Sequence, residues 1–178
     1  PDWQPTASRA ALKSRARQSA FVRGFFAQRD LLEVETPVLG RFGVTEPNLD
    51  SISAQIDAQG IKGGWLQTSP EYHMKRLLAA GSGSIYQISK VFRNGERGSR
   101  HNPEFSMLEW YRTGFDDEAL MTEVSDLVCG WLECPQPKVT SYRQAMIDWA
   151  GIDPFVVAES ELRQRCRQWL EPEQLQDL

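Results

Sequence analysis

The feature that most constrains the fold is a pair of alternating segments joined by a short polar loop. Residues 84–93 alternate between two kinds of side chain, and residues 105–113 do the same. The loop between them, residues 94–104, is rich in glycine and arginine. A period of two is typical of a half-buried strand, and a short connection favours antiparallel pairing. The pattern therefore predicts a β-hairpin with two chemically different faces.

The segments around this hairpin predict an α+β domain, an antiparallel sheet flanked by helices. Residues 7–29 predict a helix capped by Thr6 or Ser8, and residues 32–37 a strand. Short extended runs lie near 51–56 and 65–68, and further helices start after Pro70, near Asp116, and over 141–150 and 159–170. Two sets of apolar residues at helical spacing are expected in the core: Leu12, Ala16, Ala20, Phe21, Phe25 and Phe26, then Leu120, Met121, Val124, Leu127, Val128, Trp131 and Leu132.

Composition limits the class of protein. A chain of 178 residues is long enough for one domain with a substantial core. The net charge of −4 argues against a strongly basic nucleic-acid surface. No apolar run approaches the roughly 20 residues that span a bilayer. The three cysteines, Cys129, Cys134 and Cys166, lack C-x-x-C spacing. This usage favours reduced thiols in the cytoplasm over disulfides or a metal site.

The polar face of the hairpin carries groups that suit a nucleotide and an amino acid. Phe105 offers a ring on which a base can stack. Arg93 can bridge a phosphate and a carboxylate, because a guanidinium group has a planar fork of donors. Glu109 and Tyr111 can receive an ammonium group. The outer phosphates suit the loop cations: Arg97, Arg100 and His101.

A surface hairpin with solvated charges is the alternative for any single one of these residues. We reject it for the set, because the groups align on one pleated face. The chain has no Walker loop, no dinucleotide fingerprint and no nucleophile elbow. His73 and His101 are its only histidines, which excludes a multi-histidine metal site. His73 lies on a predicted helix, where we expect a structural or exposed role.

These residues resemble the class II aminoacyl-tRNA synthetases. Phe92-Arg93 followed by His101-x-x-x-Phe105 is similar to motif 2, which would span about 84–113. The helix, strand and proline over about 20–37 are similar to motif 1. The string 101–111 and the string 68–77 resemble the lysine branch. Within that branch the resemblance is to the truncated paralogues that join lysine to elongation factor P, since only one helix precedes motif 1, where a lysyl-tRNA synthetase carries an anticodon-binding barrel.

The resemblance implies two binding groups and one catalytic residue. Arg93 would be catalytic, contacting the α-phosphate and the substrate carboxylate. The ATP group would consist of Arg93, Glu96, Arg100, His101, Asn102 and Phe105. The group for lysine or β-lysine would consist of Glu71, Glu109 and Tyr111, with Glu71 on the α-amino group. Mg²⁺ would bridge the phosphates, and no residue is assigned as a metal ligand.

The chain departs from the family pattern in two places. Motif 2 usually has a glutamate two residues after its arginine, where this chain has Gly95, and Glu96 is the candidate replacement. No motif 3, with its ATP-binding arginine, is visible. We therefore expect residues 1–178 to be the N-terminal portion of a catalytic domain, without an anticodon-binding domain. Motif 1 would lie at the interface of a homodimer.

Three functions follow as hypotheses. The first is an enzyme that activates lysine or β-lysine with ATP and transfers it to a lysine of elongation factor P. The second is part of a lysyl-tRNA synthetase, with the same chemistry and tRNA as acceptor, which the missing barrel and the acidic charge make less favoured. The third is a non-catalytic module that binds nucleotide or a partner.

Overall fold

The computed structural model describes residues 3–55 and 63–169, which belong to two compact units divided after Cys134. Nine elements lie in the first unit: α1 Arg9–Ala27, β1 Leu32–Glu33, β2 Leu39–Gly40, β3 Ser53–Ala54, β4 Gly64–Leu66, α2 Glu71–Ala79, β5 Ile85–Phe92, β6 Glu104–Tyr111 and α3 Asp117–Leu132. The second unit contains α4 Tyr142–Ala150 and α5 Glu159–Trp169. None of the described helices is both long and apolar enough to cross a membrane.

The predicted hairpin is confirmed. Strands β5 and β6 pair antiparallel along their whole length, from Ile85 opposite Tyr111 to Phe92 opposite Glu104. They form a three-stranded sheet in the order β1-β5-β6. The expected antiparallel sheet is found in part: β5 and β6 pair antiparallel, whereas β1 pairs parallel with β5. A parallel pair needs a long crossover, and the chain between Glu33 and Ile85 supplies one that contains a second sheet and α2.

The second sheet is antiparallel, with the order β2-β4-β3. The strand expected near 51–56 is limited to Ser53–Ala54, and residue 56 lies outside the described residues. The strand expected over 32–37 is also shorter, because β1 ends at Glu33. One further ladder bond follows it, in which the Val34 amide donates to the Tyr86 carbonyl over 2.8 Å.

One face of the hairpin, here the core face, packs against α1. Paired residues of an antiparallel ladder share a face, so this face comprises Tyr86, Ile88, Leu108 and Trp110. The ring of Phe26 is fully buried and stacks on Tyr86 with 4.6 Å between centroids. Val22, Phe25, Leu31 and Leu127 complete this core cluster.

Part of the predicted core is exposed. In α1, capped by Ser8, Leu12 is 59% exposed and Ala16 and Ala20 also face solvent. The buried residues of α1, Val22, Phe25 and Phe26, all lie in its second half. In α3 the exposed members are Leu120, Met121, Val124, Val128 and Leu132. Of the apolar residues predicted there, Leu127 is buried and Trp131 is half-buried.

A buried carboxylate joins α3 to the core face. Glu123 is only 5% exposed and accepts a hydrogen bond from Trp110 Nε1 at 3.0 Å. Arg112 Nε lies 3.2 Å from the same carboxylate, and Arg29 Nε lies 3.9 Å away. Arg112 also donates to the Arg29 carbonyl over 3.1 Å. Two guanidinium groups therefore offset the cost of burying this charge.

The second unit is held by local contacts. Ser141 caps α4, and Gly151 ends it with φ of +64°, a conformation that glycine adopts without strain. Arg143 forms a salt bridge of 2.6 Å with Asp153, just beyond that turn. Pairs at i,i+4 spacing support α5.

Candidate active site

The second face of the hairpin, here the site face, carries the predicted binding residues. Pairing places Gln87 opposite Glu109 and Val91 opposite Phe105. The face is partly covered, since Gln87 is buried and accepts a hydrogen bond from Thr36 Oγ1 at 3.0 Å. Phe105 and Glu109 are half-buried. The site face is therefore partly buried, and the side chains of Phe105 and Glu109 on it remain accessible.

Arg93 lies immediately after β5, where the loop begins. Its amide donates to the Pro103 carbonyl over 2.9 Å, which holds the two ends of the loop together. Its guanidinium lies 5.2 Å from the centre of the Phe105 ring and 3.7 Å from Glu96. Its Nε donates to the Thr68 carbonyl over 3.5 Å. These contacts are long, so most of the donor fork remains available to an anion.

Glu109 and Tyr111 form the second group on this face. The Tyr111 hydroxyl donates to Glu109 over 2.6 Å. Burial raises the pKa of Glu109; the charge of Glu71 also raises it, whereas the Tyr111 hydrogen bond and Lys75 lower it. Burial is likewise the main cause of the raised pKa of Tyr111. A half-buried carboxylate whose pKa is raised is a candidate functional group.

Glu71 lies at the start of α2 and interacts with the same group. The helix begins there because Pro70 precedes it. Ser69 Oγ also accepts a hydrogen bond from the Glu71 amide at 3.2 Å. Glu71 forms a 2.5 Å salt bridge with Lys75, one helical turn later. The structure therefore brings Glu71, Glu109 and Tyr111 within electrostatic reach of one another. Lys75 was missed by the sequence reasoning, although its i,i+4 spacing from Glu71 is a recognisable signal.

Gln67 lies shortly before α2 and binds the end of β5. The sequence reasoning missed this residue as well. Its carbonyl accepts a hydrogen bond from the Phe92 amide at 2.9 Å, and its Nε2 donates a hydrogen bond to the Lys90 carbonyl at 2.9 Å. Its Oε1 is buried and has no hydrogen-bond partner among the described residues. These bonds hold Gln67 beside the end of β5, four residues before Glu71 begins α2. No local motif could have indicated this, because the contacts are long-range.

A cavity of about 290 Å³ lies beside Glu71. Its lining comes from the loop after β2, from β4 and the residues that follow it, and from the start of α2, including Val44, Trp65, Ser69, Tyr72 and His73. Thr45 Oγ1 and the Tyr72 hydroxyl lie 2.9 Å apart and link the loop after β2 to α2. His73, expected to be structural or exposed, is half-buried and lines this cavity. Within the described part of the chain, the cavity includes Glu71 but not Arg93, Phe105, Glu109 or Tyr111.

The loop residues of the predicted ATP group are less organised. Arg100, His101 and Asn102 are exposed, and a bridge between Gly98 and His101 lies within this part of the loop. The described residues therefore do not bring this part of the group against Arg93. Gly95 has φ of +76°, which explains why glutamate does not occupy that position. Glu96, one residue later, lies close enough to pair with Arg93.

Comparison with known proteins assigns most of the chain to one family. The family model of the class II tRNA synthetases (D, K and N) matches residues 2–149. The chain belongs to this family. The match includes α1, both sheets, α2 and the hairpin, so the α+β fold of the first unit is that of a class II synthetase domain.

Curated relatives are similar over nearly all of the chain. A protein of Haemophilus influenzae (strain PittGG) is 52% identical over 168 residues, which is 93% of this chain and 52% of that protein. A protein of Histophilus somni (strain 2336) is 50% identical, and one of Pasteurella multocida (strain Pm70) is 49% identical, over 93% and 94% of this chain and 52% and 53% of theirs. Each is named elongation factor P–(R)-β-lysine ligase. The chain thus spans about half the length of these relatives.

Proposed function

We propose that the protein containing this chain activates lysine or β-lysine with ATP and joins it to a lysine side chain of elongation factor P. The observation that carries this proposal is the 52% identity, over 93% of the chain, to a protein named for ligating (R)-β-lysine to that factor. The separation of the site face into an arginine group and a carboxylate group supports it, since the reaction needs a nucleotide and an amine side by side.

The arginine group suits ATP. Phe105 supplies a ring for adenine, and Arg93 lies beside that ring with most of its donors free for the α-phosphate. Arg97 and Arg100 are exposed and form no ion pair with any described residue, so both are available to the outer phosphates. We propose that Glu96, Arg100, His101 and Asn102 close on the nucleotide when it binds.

The next question is how Mg²⁺ would be held at this site. The described residues contain no group of three or more His, Cys, Asp or Glu side chains placed to hold a metal ion. Mg²⁺ would bridge the phosphates of ATP and neutralise their charge.

The carboxylate group suits a lysine-like substrate. Glu71 now pairs with Lys75, and an ammonium group of the substrate would replace that side chain. Glu109 and Tyr111 would hold a second amine. Burial, and after it the charge of Glu71, raises the pKa of Glu109, and a bound cation would offset both effects.

In the first step, the substrate carboxylate attacks the α-phosphorus of ATP and pyrophosphate leaves. Arg93 would hold both reacting groups and stabilise the negative charge of the transition state. In the second step, the amine of the acceptor lysine attacks the activated carbonyl and AMP leaves. No side-chain nucleophile is required, which agrees with a site built from arginine, carboxylates and an aromatic ring.

The acceptor decides between this proposal and a lysyl-tRNA synthetase. The test incubates the full-length protein with ATP, labelled lysine or β-lysine, and either elongation factor P or tRNA. We expect label on the factor and none on tRNA. Transfer to tRNA alone would support the synthetase alternative, and no amino-acid-dependent pyrophosphate exchange with either amino acid would support a non-catalytic module.

Three further properties are proposed with this function. Because the chain spans about half of its relatives, we expect the 178-residue chain by itself to lack pyrophosphate exchange, with motif 3 supplied by the other half. The exposed Leu12, Ala16 and Ala20 on α1, the helix that leads into motif 1, support a homodimer through this region. A monomer in sedimentation at about tens of micromolar would contradict it. A substrate in translation supports a cytoplasmic location.

A further inference from the structure

Two cysteine side chains meet at the C-terminal end of α3. Cys129 lies in the last turn of the helix and is buried, whereas Cys134 follows the helix and is exposed. Their Sγ atoms are 3.5 Å apart. Between them, Glu133 has φ of +52°, the left-handed conformation that commonly ends a helix. This conformation turns the chain back over the last helical turn and brings the two sulfurs together.

The geometry allows a bond between them at small cost in movement. A disulfide requires sulfurs about 2.05 Å apart, so about 1.5 Å of approach remains. Cys134 can supply this movement, because it is exposed and lies beyond the helix. The two thiols also differ in reactivity. Burial raises the pKa of Cys129, with further contributions from Cys134 and Asp126, so Cys134 is the thiol that meets a reagent from solution first.

We propose that Cys129 and Cys134 are a dithiol modification site that forms a reversible disulfide by exchange with a small soluble disulfide of the glutathione type. The Cys134 thiolate attacks one sulfur of the reagent, forms a mixed disulfide and releases one small thiol. Cys129 then loses its proton to solvent and attacks Cys134 Sγ. The new bond forms as the second small thiol leaves, so two protein thiols are oxidised and one disulfide is reduced to two thiols.

A reduced pair in the structure is consistent with this proposal, because exchange is reversible. The sequence spacing of five residues does not match C-x-x-C, so motif reasoning passed over the pair. The third cysteine, Cys166, lies in the second unit on α5. It provides an internal reference for a single thiol.

The test treats the full-length protein with excess oxidised glutathione, alkylates the remaining thiols and digests with trypsin. Cleavage after Arg112 and Lys138 places both cysteines in one peptide, residues 113–138. We expect this peptide to be unalkylated, two hydrogens lighter than its reduced form, and restored by dithiothreitol. Internal disulfide should exceed the glutathione adduct on this peptide by about tenfold or more, because the second thiol is already in contact.

Three controls make the result specific. Cys129→Ser should accumulate the glutathione adduct on Cys134, whereas Cys166→Ser should leave the internal disulfide unchanged. The same treatment in urea should lower the ratio of disulfide to adduct several-fold, because the contact depends on the folded helix end. The proposal is overturned if the native protein keeps the glutathione adduct on Cys134, or if both thiols stay reduced and are therefore alkylated. It is also overturned if urea leaves the ratio of disulfide to adduct unchanged.

Discussion

The two faces of the hairpin differ in how their polar groups are satisfied. On the core face, the Tyr86 hydroxyl donates to Glu33 and the Trp110 indole donates to Glu123, and both carboxylates also face guanidinium groups. On the site face, burial raises the pKa of Glu109, and the charge of Glu71 on the neighbouring α2 raises it further. The core face therefore contributes stability, whereas the site face keeps an unfavourable environment that a ligand can relieve.

The largest effect should come from the core face. Phe26→Ala removes a fully buried ring that contacts both Tyr86 and Trp110. We expect the free energy of unfolding to fall by about 3–5 kcal/mol, measured by urea denaturation followed by circular dichroism. Phe42→Ala is the matched control, because Phe42 is 84% exposed, and it should change stability by less than about 0.5 kcal/mol. Similar losses for both variants would contradict the assignment of the core face.

On the site face, Arg93→Ala should reduce activity rather than stability. The substitution removes a guanidinium with long contacts to Thr68, Glu96 and Phe105. We expect amino-acid activation by the full-length protein to slow by about 10²–10³-fold, as when one charge-stabilising donor is lost. Lys90→Ala is the control, since Lys90 is an exposed cation of the same strand that pairs with Glu104. A comparable loss with that variant would mean that general charge, and not the site, is responsible.

Phe105→Ala should have a smaller effect and change a different parameter. Loss of a stacking ring costs about 1–3 kcal/mol of base binding, so the KM for ATP should rise by about tenfold or more with a modest change in kcat. The comparison with Arg93→Ala is informative, because the two side chains are in contact. Equal and small effects for both variants would show that the hairpin is not the nucleotide site.

The same two faces show what could be predicted from the sequence. Alternation in 84–93 and 105–113 predicted the pairing and the residues on each face, because side-chain direction in a strand is a local property. The parallel pairing of β1 and the exposure of Leu120 and Leu132 were not predictable, since they depend on where distant segments lie. The same holds for the site. Glu109 was named from the strand pattern and Glu71 by resemblance, but their electrostatic interaction depends on where α2 lies beside the hairpin, which no motif indicated.

The smallest effect expected is a change in stability caused by the unfavourable environment of Glu109 on the site face. The pKa of Glu109 is raised in the folded protein, so the folded state binds that proton more tightly than the unfolded state. The stability from this proton is fully present below the unfolded pKa and is lost as the pH rises through the folded pKa. Glu109→Gln removes the titration, so the variant should be slightly more stable than the native protein at neutral pH.

This gain should come with a loss of function, and the combination separates a strained site from a structural pair. The KM for the amino acid should rise by about tenfold or more, because a hydrogen bond to a charged group contributes about 1.5–3 kcal/mol. Urea midpoints measured from acidic to neutral pH should show the stability difference growing as the pH rises. Glu104→Gln, an exposed carboxylate of the same strand paired with Lys90, should change neither quantity appreciably. A Glu109→Gln variant less stable than the native protein at neutral pH would mean that the Tyr111 bond outweighs burial, and that the site face stores no strain for a substrate to relieve.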